Sequence, residues 1–297
     1  MNYLITGATG FIGRHLVALL LARGDSVNYL GRQRSRSMDS RAAFHCWNPG
    51  EMPPLSSVPR LDAVINLAGE PIAQRWSDEV KQRIYTSRVD RTRQLVSAIA
   101  GLKYKPRVLV SASAVGYYGD RGDEVLTENS TAGSDFLAKV CVDWEREAMQ
   151  ARESGVRVVT VRIATVLGRD GGALKQMLIP FRLGLGGRFG NGRQWMSWIH
   201  VQDLARLLAY AADDESVSGA LNGSSPEPVT NAQFTKALAH AVHRPAILPV
   251  PKFALKLALG EAAGFLLQSL RVMPEGTMQG GFRFDYPQLA EALGQIL

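Results

Sequence analysis

Cysteine is scarce. Cys46 and Cys141 are the two cysteines in 297 residues, far apart and outside any C-x-x-C pair. Neither a disulfide framework nor a zinc or dithiol motif is indicated, and a reducing compartment fits. Long apolar runs are missing too. The longest stretch, residues 253–267, is interrupted by Lys256, Gly260, Glu261 and Gly264, too short and too broken to span a bilayer. A strand pattern begins at Tyr3, which leaves no room for a signal peptide, so the expected location is cytoplasmic. The chain has no G-x-S-x-G elbow, no Walker loop and no metal-ligand spacing. That removes the usual signatures of serine hydrolases, P-loop enzymes and metalloenzymes.

What is present is length and positive charge. The chain is long enough for one large domain or two smaller ones, and it can bury a core without staples. Lys and Arg number 34 against 27 acids, a net charge of +7. The surplus reads either as a plain basic surface or as attraction for an anionic ligand. It lacks the cation clusters interleaved with aromatics that nucleic acid would want, so the expected partner is a small molecule, with no nucleic acid and no membrane.

Short apolar strands alternate with helical patterns. Strand patterns occupy Tyr3–Ile5, Val27–Leu30, Ala63–Leu67, Val108–Val110 and Val158–Ile163, while helical spacing runs over Phe11–Leu21, Ser77–Ala100 and Phe136–Met149. That alternation predicts an α/β fold, a Rossmann-type doubly wound parallel sheet. The pattern weakens after Gly168, where glycines crowd at 171, 172, 184, 186, 187, 190 and 192. We therefore expect a nucleotide-binding domain over 1–168, its sheet completed by later segments at about 196–223. A smaller, mostly helical substrate region would fill 169–297, with Pro245, Pro249 and Pro251 breaking its helices.

The sharpest motif is Gly7-Ala8-Thr9-Gly10-Phe11-Ile12-Gly13, set between the first strand and the first helix. Gly7 permits the turn, Gly10 lets backbone approach a pyrophosphate, and Gly13 lets helix pack on strand. Free N–H groups at the helix start then favour the anion. At the end of the second strand stands Gly31-Arg32-Gln33-Arg34-Ser35, with no acid. An acid there would serve NAD and repel a ribose 2′-phosphate, whereas arginine binds that phosphate. Arg32, helped by Arg34, points to NADP(H).

The G-x-x-G-x-x-G spacing, with Asn66-Leu67-Ala68-Gly69 and the serine segment Ser111–Gly119, resembles the extended, epimerase-like branch of the short-chain dehydrogenase/reductase superfamily. Segments 66–72, 180–187 and 198–200 make the chain similar to its atypical members, the family 39U member 1 proteins of animals and their bacterial relatives. The resemblance implies that Leu67, Ala68 and Gly69 line the adenosine side, that Arg88 reaches the cofactor, and that Val166 lines the nicotinamide. It makes Ser113 the counterpart of the catalytic serine, and a homodimer an option. The superfamily's Tyr-x-x-x-Lys pair is not matched, because Asp135 stands four residues before Lys139. Tyr117, Tyr118 and Lys139 are the candidate replacements, each with an alternative as packing or surface residue. Segments 75–76, 193–195 and 198–200 could wall a pocket, with His200 either an orienting residue or a base. Two functions remain open: an oxidoreductase or epimerase acting on a small carbonyl or sugar-like substrate, and a catalytically degenerate NADP(H)-binding redox sensor or partner-binding protein.

Overall fold

Runs rich in Val, Ile and Leu become strands covered on both faces, as a parallel sheet requires. The computed structural model describes residues 1–48 and 50–297. In chain order come β1 (Asn2–Thr6), α1 (Phe11–Ala22), β2 (Ser26–Gly31), β3 (Ala43–Cys46), β4 (Ala63–Asn66), α2 (Asp78–Thr86), α3 (Val89–Ala100) and β5 (Val108–Ala114). After a 3-10 turn at Val115–Tyr118 follow β6 (Val125–Leu126), α4 (Phe136–Met149), β7 (Arg157–Ile163), β8 (Thr165–Gly168), α5 (Gly172–Arg182), β9 (Trp195–Met196) and β10 (Trp198–His200). The remainder is α6 (Val201–Asp213), β11 (Gly219–Gly223), β12 (Val229–Thr230), α7 (Asn231–Ala241), α8 (Lys252–Leu259), α9 (Ala262–Leu267), β13 (Arg271–Val272), α10 (Glu275–Gln279) and α11 (Leu289–Ile296).

Seven parallel strands form one sheet in the order β3-β2-β1-β4-β5-β7-β11. Helices α1 and α6 cover one face through Leu16, Leu20, Leu204 and Leu208. On the other face α3 contributes Leu95 and Ile99 and α4 contributes Ala148. Each fully buried aliphatic side chain stabilises by about 1.5–3 kcal/mol before entropy is charged against it. The seventh strand comes from 219–223, but residues 195–200 stay outside the sheet. There β10 pairs with β8 and β9 with β12.

The helical pattern over Ser77–Ala100 is two helices, not one. It breaks at Ser87–Arg88, where Ser87 Oγ accepts the Glu70 N–H at 2.9 Å. At the end of α1, Gly24 takes φ +83°. The Asp25 N–H reaches back to Leu20 O and the Gly24 N–H to Leu21 O, satisfying carbonyls the helix would otherwise orphan.

A second core joins α5, α7 and α11 through Leu174, Phe181, Phe234, Leu238 and Leu293, packed around Trp198. The stretch from 250 onward binds back onto the rest at several points. Glu261 pairs with Lys81, and Gln268 Nε2 donates to Asp135 at 2.8 Å. Glu128 accepts the Gly276 and Thr277 N–H groups, and Asp203 those of Asp285 and Tyr286.

Candidate nucleotide and catalytic site

Register places one polar rung across the sheet, in which Leu30, Thr6, Asn66, Ser111 and Thr160 lie side by side. The candidate loops leave the sheet just beyond it. Ligands of open α/β sheets bind outside these carboxyl ends. The rung is bonded through: Thr6 Oγ1 donates to Asn66 Oδ1 at 2.6 Å and accepts the Leu67 and Ala68 N–H groups. Asn66 Nδ2 donates to Thr92 Oγ1, which also accepts the Trp144 indole N–H. A rigid floor of satisfied polar groups therefore fixes the turn at 67–69 against the loop at 7–13.

The glycines behave as their motif requires. Gly7 has φ +69°, and a Cβ there would lie 2.7 Å from the Leu67 carbonyl carbon and 2.8 Å from Ala68 N. A Cβ on Gly13 would strike the Gly7 carbonyl oxygen and come within 2.6 Å of Ala8 Cα. Gly10 is the N-cap of α1 and supplies no side-chain bond. The first-turn N–H groups of Phe11, Ile12 and Gly13 are thus left for an anion. Thr9 and Gly10 are exposed at the rim. The Phe11 ring packs into the bend made by Gly168, Gly171 and Gly172, so what Phe11 can offer a ligand is its backbone.

At the other end of the groove Arg32 and Arg34 are exposed and, among the described residues, have no ion-pair partner. The neighbouring acid Asp39 is already held by Arg41 at 2.7 Å. Gly31 O accepts the Trp47 N–H. Sequence reading missed Arg91 on α3, whose guanidinium lies over the Trp47 ring at 4.5 Å and donates to Asn48 O. Burial, and next the nearby Arg32 cation, push its pKa down. Two cations raising each other's energy make a place for an anion. The signal available was an Arg one helical turn after Arg88, on a helix whose orientation the sequence did not reveal.

Arg88 occupies the α2–α3 junction and lies flat against Gly69, where a Cβ would be 3.1 Å from its Cζ. It donates to Ile84 O at 3.3 Å and sits over Trp144 at 5.4 Å. No carboxylate pairs with it among the described residues, and burial pushes its pKa down. It is half-buried between Gly69 and Trp144 and not a solvated helix arginine. Val166 lies on β8, beside Ile199.

Ser113 ends β5, and its Oγ donates to Glu145 Oε1 at 2.6 Å. Glu145 is gripped by Arg162, Nε to Oε1 at 2.9 Å and Nη2 to Oε2 at 3.0 Å, with both side chains nearly buried. Arg162 also donates to Tyr118 OH and to Glu128 O, each at 3.1 Å. Its guanidinium lies 3.5 Å from the Tyr117 ring centroid. Neither Glu145 nor Arg162 figured in the sequence reading, because the pair joins residues on different elements.

The two tyrosines part company here. Tyr118 is fully buried, its hydroxyl donates to Asn222 Oδ1 at 2.7 Å, and burial pushes its pKa up to about 12. Tyr118 is thus committed to the interior. Tyr117 is half-buried, its hydroxyl is not among the buried groups lacking a partner, and among the described residues no hydrogen bond engages that hydroxyl.

Lys139 is exposed, bonded to none of these residues. Asp135 forms no ion pair with it. Instead Asp135 Oδ1 caps α4 by accepting the Ala138 N–H at 2.9 Å. On α4, beside Glu145 that accepts the Ser113 hydroxyl, Leu137 packs on Gly116, and the Cys141 thiol meets Ser113 and Ala114 and is pushed up to about 12, mainly by burial. Neither can exchange a proton near neutral pH. The cation on this side is Arg88, which acts on Cys141 from the α2–α3 junction.

His200 is buried and structural. Its Nδ1 accepts the Gln202 N–H at 3.2 Å to cap α6, and its Nε2 meets Gln295 Oε1 at 2.9 Å. Trp76 donates to Ile72 O. Trp195 donates to Asp123 at 2.8 Å, with Arg271 over its ring. Beside it a cavity of about 230 Å3 is lined by Asp123, Asn191, Arg193, Lys252 and Ser269.

Residues 3–222 match the model of the NAD dependent epimerase/dehydratase family, and residues 250–296 match a domain of unknown function, DUF1731. The chain is 39% identical to the epimerase family protein YfhF of Bacillus subtilis, over all of this chain and 98% of that one. It is 42% identical to the chloroplastic SDR39U1 homolog of Arabidopsis thaliana, covering all of this chain and 87% of the relative. Among solved structures, human epimerase family protein SDR39U1 with NADPH superposes with a TM-score of 0.90 at 36% identity, over 100% and 99% of the two chains. A nucleoside-diphosphate sugar epimerase from Corynebacterium glutamicum gives 0.81 at 34% identity, over all of this chain and 58% of that one.

Proposed function

The chain belongs to the NAD dependent epimerase/dehydratase family, and on that premise we infer that it is an NADP(H)-dependent oxidoreductase or epimerase acting on a small carbonyl or sugar-like substrate. The observation that carries the cofactor choice is the set Arg32, Arg34 and Arg91, cations without a carboxylate among them, at the end of β2. A relative of known structure is described with NADPH, and the cradle at Gly7, Gly10 and Gly13 fits a pyrophosphate.

In this reading Gly7–Gly13 holds the pyrophosphate through backbone N–H groups, and Arg32, with Arg34 and Arg91, holds the 2′-phosphate. Leu67, Ala68 and Gly69 flank the adenosine side, Val166 the nicotinamide side, and Arg88 sets a positive charge beside Gly69. When bound, NADPH supplies a hydride to a carbonyl carbon. Tyr117 donates the proton to the carbonyl oxygen as negative charge develops there, and regains it from water. Arg162 fixes the Tyr117 ring from one face. The Ser113 proton points at Glu145, so its oxygen accepts a hydrogen bond from a substrate hydroxyl and orients it.

A second reading is an NADP(H)-binding protein without turnover. Leu137 and Cys141 on the inward side of α4, with Glu145 already taken up by Arg162, favour it.

The test is fluorescence titration with NADPH and NADH, then NADPH oxidation against a carbonyl panel. A bidentate charge-assisted bond is worth roughly 1.5–3 kcal/mol, so Arg32→Ala should weaken NADPH about 10–100-fold and leave NADH unchanged. Equal binding of both nucleotides overturns the cofactor reading. Turnover that Tyr117→Phe abolishes supports the enzyme. Turnover surviving that change removes Tyr117 from the chemistry, and NADPH binding without any turnover selects the second reading.

A further inference from the structure

The positive charge of this protein is not spread over it. Residues 171–202 and 228–260 contain no Asp or Glu and eight cations: Lys175, Arg182, Arg188, Arg193, Lys236, Arg244, Lys252 and Lys256. Those eight carry +8 of a net +7, so all other residues together stand at −1. All eight are exposed, and among the described residues none forms an ion pair.

The same two segments hold the most exposed large apolar side chains. Ile179, Leu183, Leu185, Ile247, Leu248, Phe253 and Leu257 are between 64% and 83% exposed, whereas among the described side chains no other large apolar one exceeds 59%. The segments are joined into one body. Arg244 Nε donates to Arg182 O at 3.3 Å, Gly187 packs on the Leu248 carbonyl, and Val250 exchanges backbone bonds with Arg188 and Gly190. On α8, Lys252 and Lys256 are one turn apart, as are Phe253 and Leu257.

We propose that this face docks the protein on an anionic lipid surface, with Phe253, Leu257, Ile247 and Leu248 entering the headgroup boundary and the lysines and arginines above them meeting lipid phosphates. Apolar side chains projecting from a predominantly basic surface, here with Asp123 beside Arg193 and Lys252 as a neighbouring acid, are the signature of interfacial binding. A second copy would bring two positive faces together. A protein partner is less suited because Lys is depleted at protein interfaces, and half of these eight cations are Lys. Such contact needs no spanning segment, and no helix among the described residues is long and apolar enough to cross a membrane. The proposal departs from the expectation of no membrane partner.

The test is co-sedimentation of the full chain with phosphatidylcholine vesicles, with and without phosphatidylglycerol. We expect pelleting with the anionic vesicles alone, weakening as salt rises. Each basic residue at such a surface is worth about fivefold in partition, so Lys252→Glu with Lys256→Glu should lower it at least about thirtyfold. Phe253→Ser with Leu257→Ser should lower it as well, with charge unchanged. No pelleting with anionic vesicles at low salt overturns the proposal, as does equal pelleting with neutral ones. Binding that survives the Phe253 and Leu257 changes, and is displaced by poly-glutamate, assigns the face to an acidic protein and also overturns it.

Discussion

Glu145→Ala tests whether the buried pair beneath Ser113 acts as one unit. Removing the carboxylate strips Arg162 Nε and Nη2 of their acceptors at 2.9 and 3.0 Å, and Ser113 Oγ of its acceptor at 2.6 Å. Arg162 keeps its bonds to Tyr118 OH and Glu128 O, but its charge stays in the interior without a counter-charge. Breaking one side of such a pair costs about 3–5 kcal/mol. For a chain of this size that lowers Tm by roughly 2 °C per kcal/mol, hence by about 6–10 °C. Glu145→Leu combined with Arg162→Met removes both charges and keeps the volume, so it should cost less than either single change. Thermal melts of the wild type, Glu145→Ala, the two single changes Glu145→Leu and Arg162→Met, and the double variant, followed by circular dichroism and by tryptophan fluorescence, read this directly. A drop under 2 °C for Glu145→Ala, or a double variant that loses the sum of the singles, would refute the reasoning.

Three further outcomes follow from the geometry. With its thiol pushed up to about 12, mainly by burial, Cys141 should not react with a disulfide reagent at pH 8 in the folded protein, while exposed Cys46 reacts; a thiol count of one native and two denatured checks this. Gly13→Ala should abolish NADPH binding, because its Cβ meets backbone, whereas Gly24→Ala, with φ +83° and nothing within 4 Å, should cost about 1 kcal/mol and leave binding intact. Burial holds the pKa values of His200 and His45 below their ordinary value. The stability they contribute is therefore full above about pH 6.5 and is lost as pH falls through their folded values. Urea melts between pH 7.5 and 5 should show that slope, reduced in His200→Gln.

Local chemistry was legible in the sequence where a single segment carries it. Gly7, Gly10 and Gly13 announce their turn because each needs backbone that other residues cannot supply, and the absence of an acid after Leu30 is visible in a short window. Pairings between segments were hidden. Ser87–Arg88 carries ordinary helix formers, and only the Glu70 N–H that Ser87 accepts explains the break there. Nothing in a single segment pairs Glu145 with Arg162; only laying α4 on β7 brings them together. Tyr117 and Tyr118 are neighbours in sequence, and only Asn222, contributed from β11, separates their roles. Lys139 was a candidate by its place on the helix after the serine segment, with Asp135 where the motif has its tyrosine. The cap at Asp135 shifts the inward face of α4 to Leu137 and Cys141.

The bonds that tie the stretch from 250 onward to Lys81, Asp135, Glu128 and Asp203 make it an intramolecular ligand for the rest of the chain. The largely exposed stretch 245–251 carries Ile247 and Leu248 of the basic face and bonds to Arg188 through Val250; it is also the covalent link that holds this ligand at an effective concentration of about a millimolar. Severing that link would leave a two-piece complex whose halves stay together or drift apart with dilution, so cleavage at one surface loop would turn a concentration-independent fold into a concentration-dependent one.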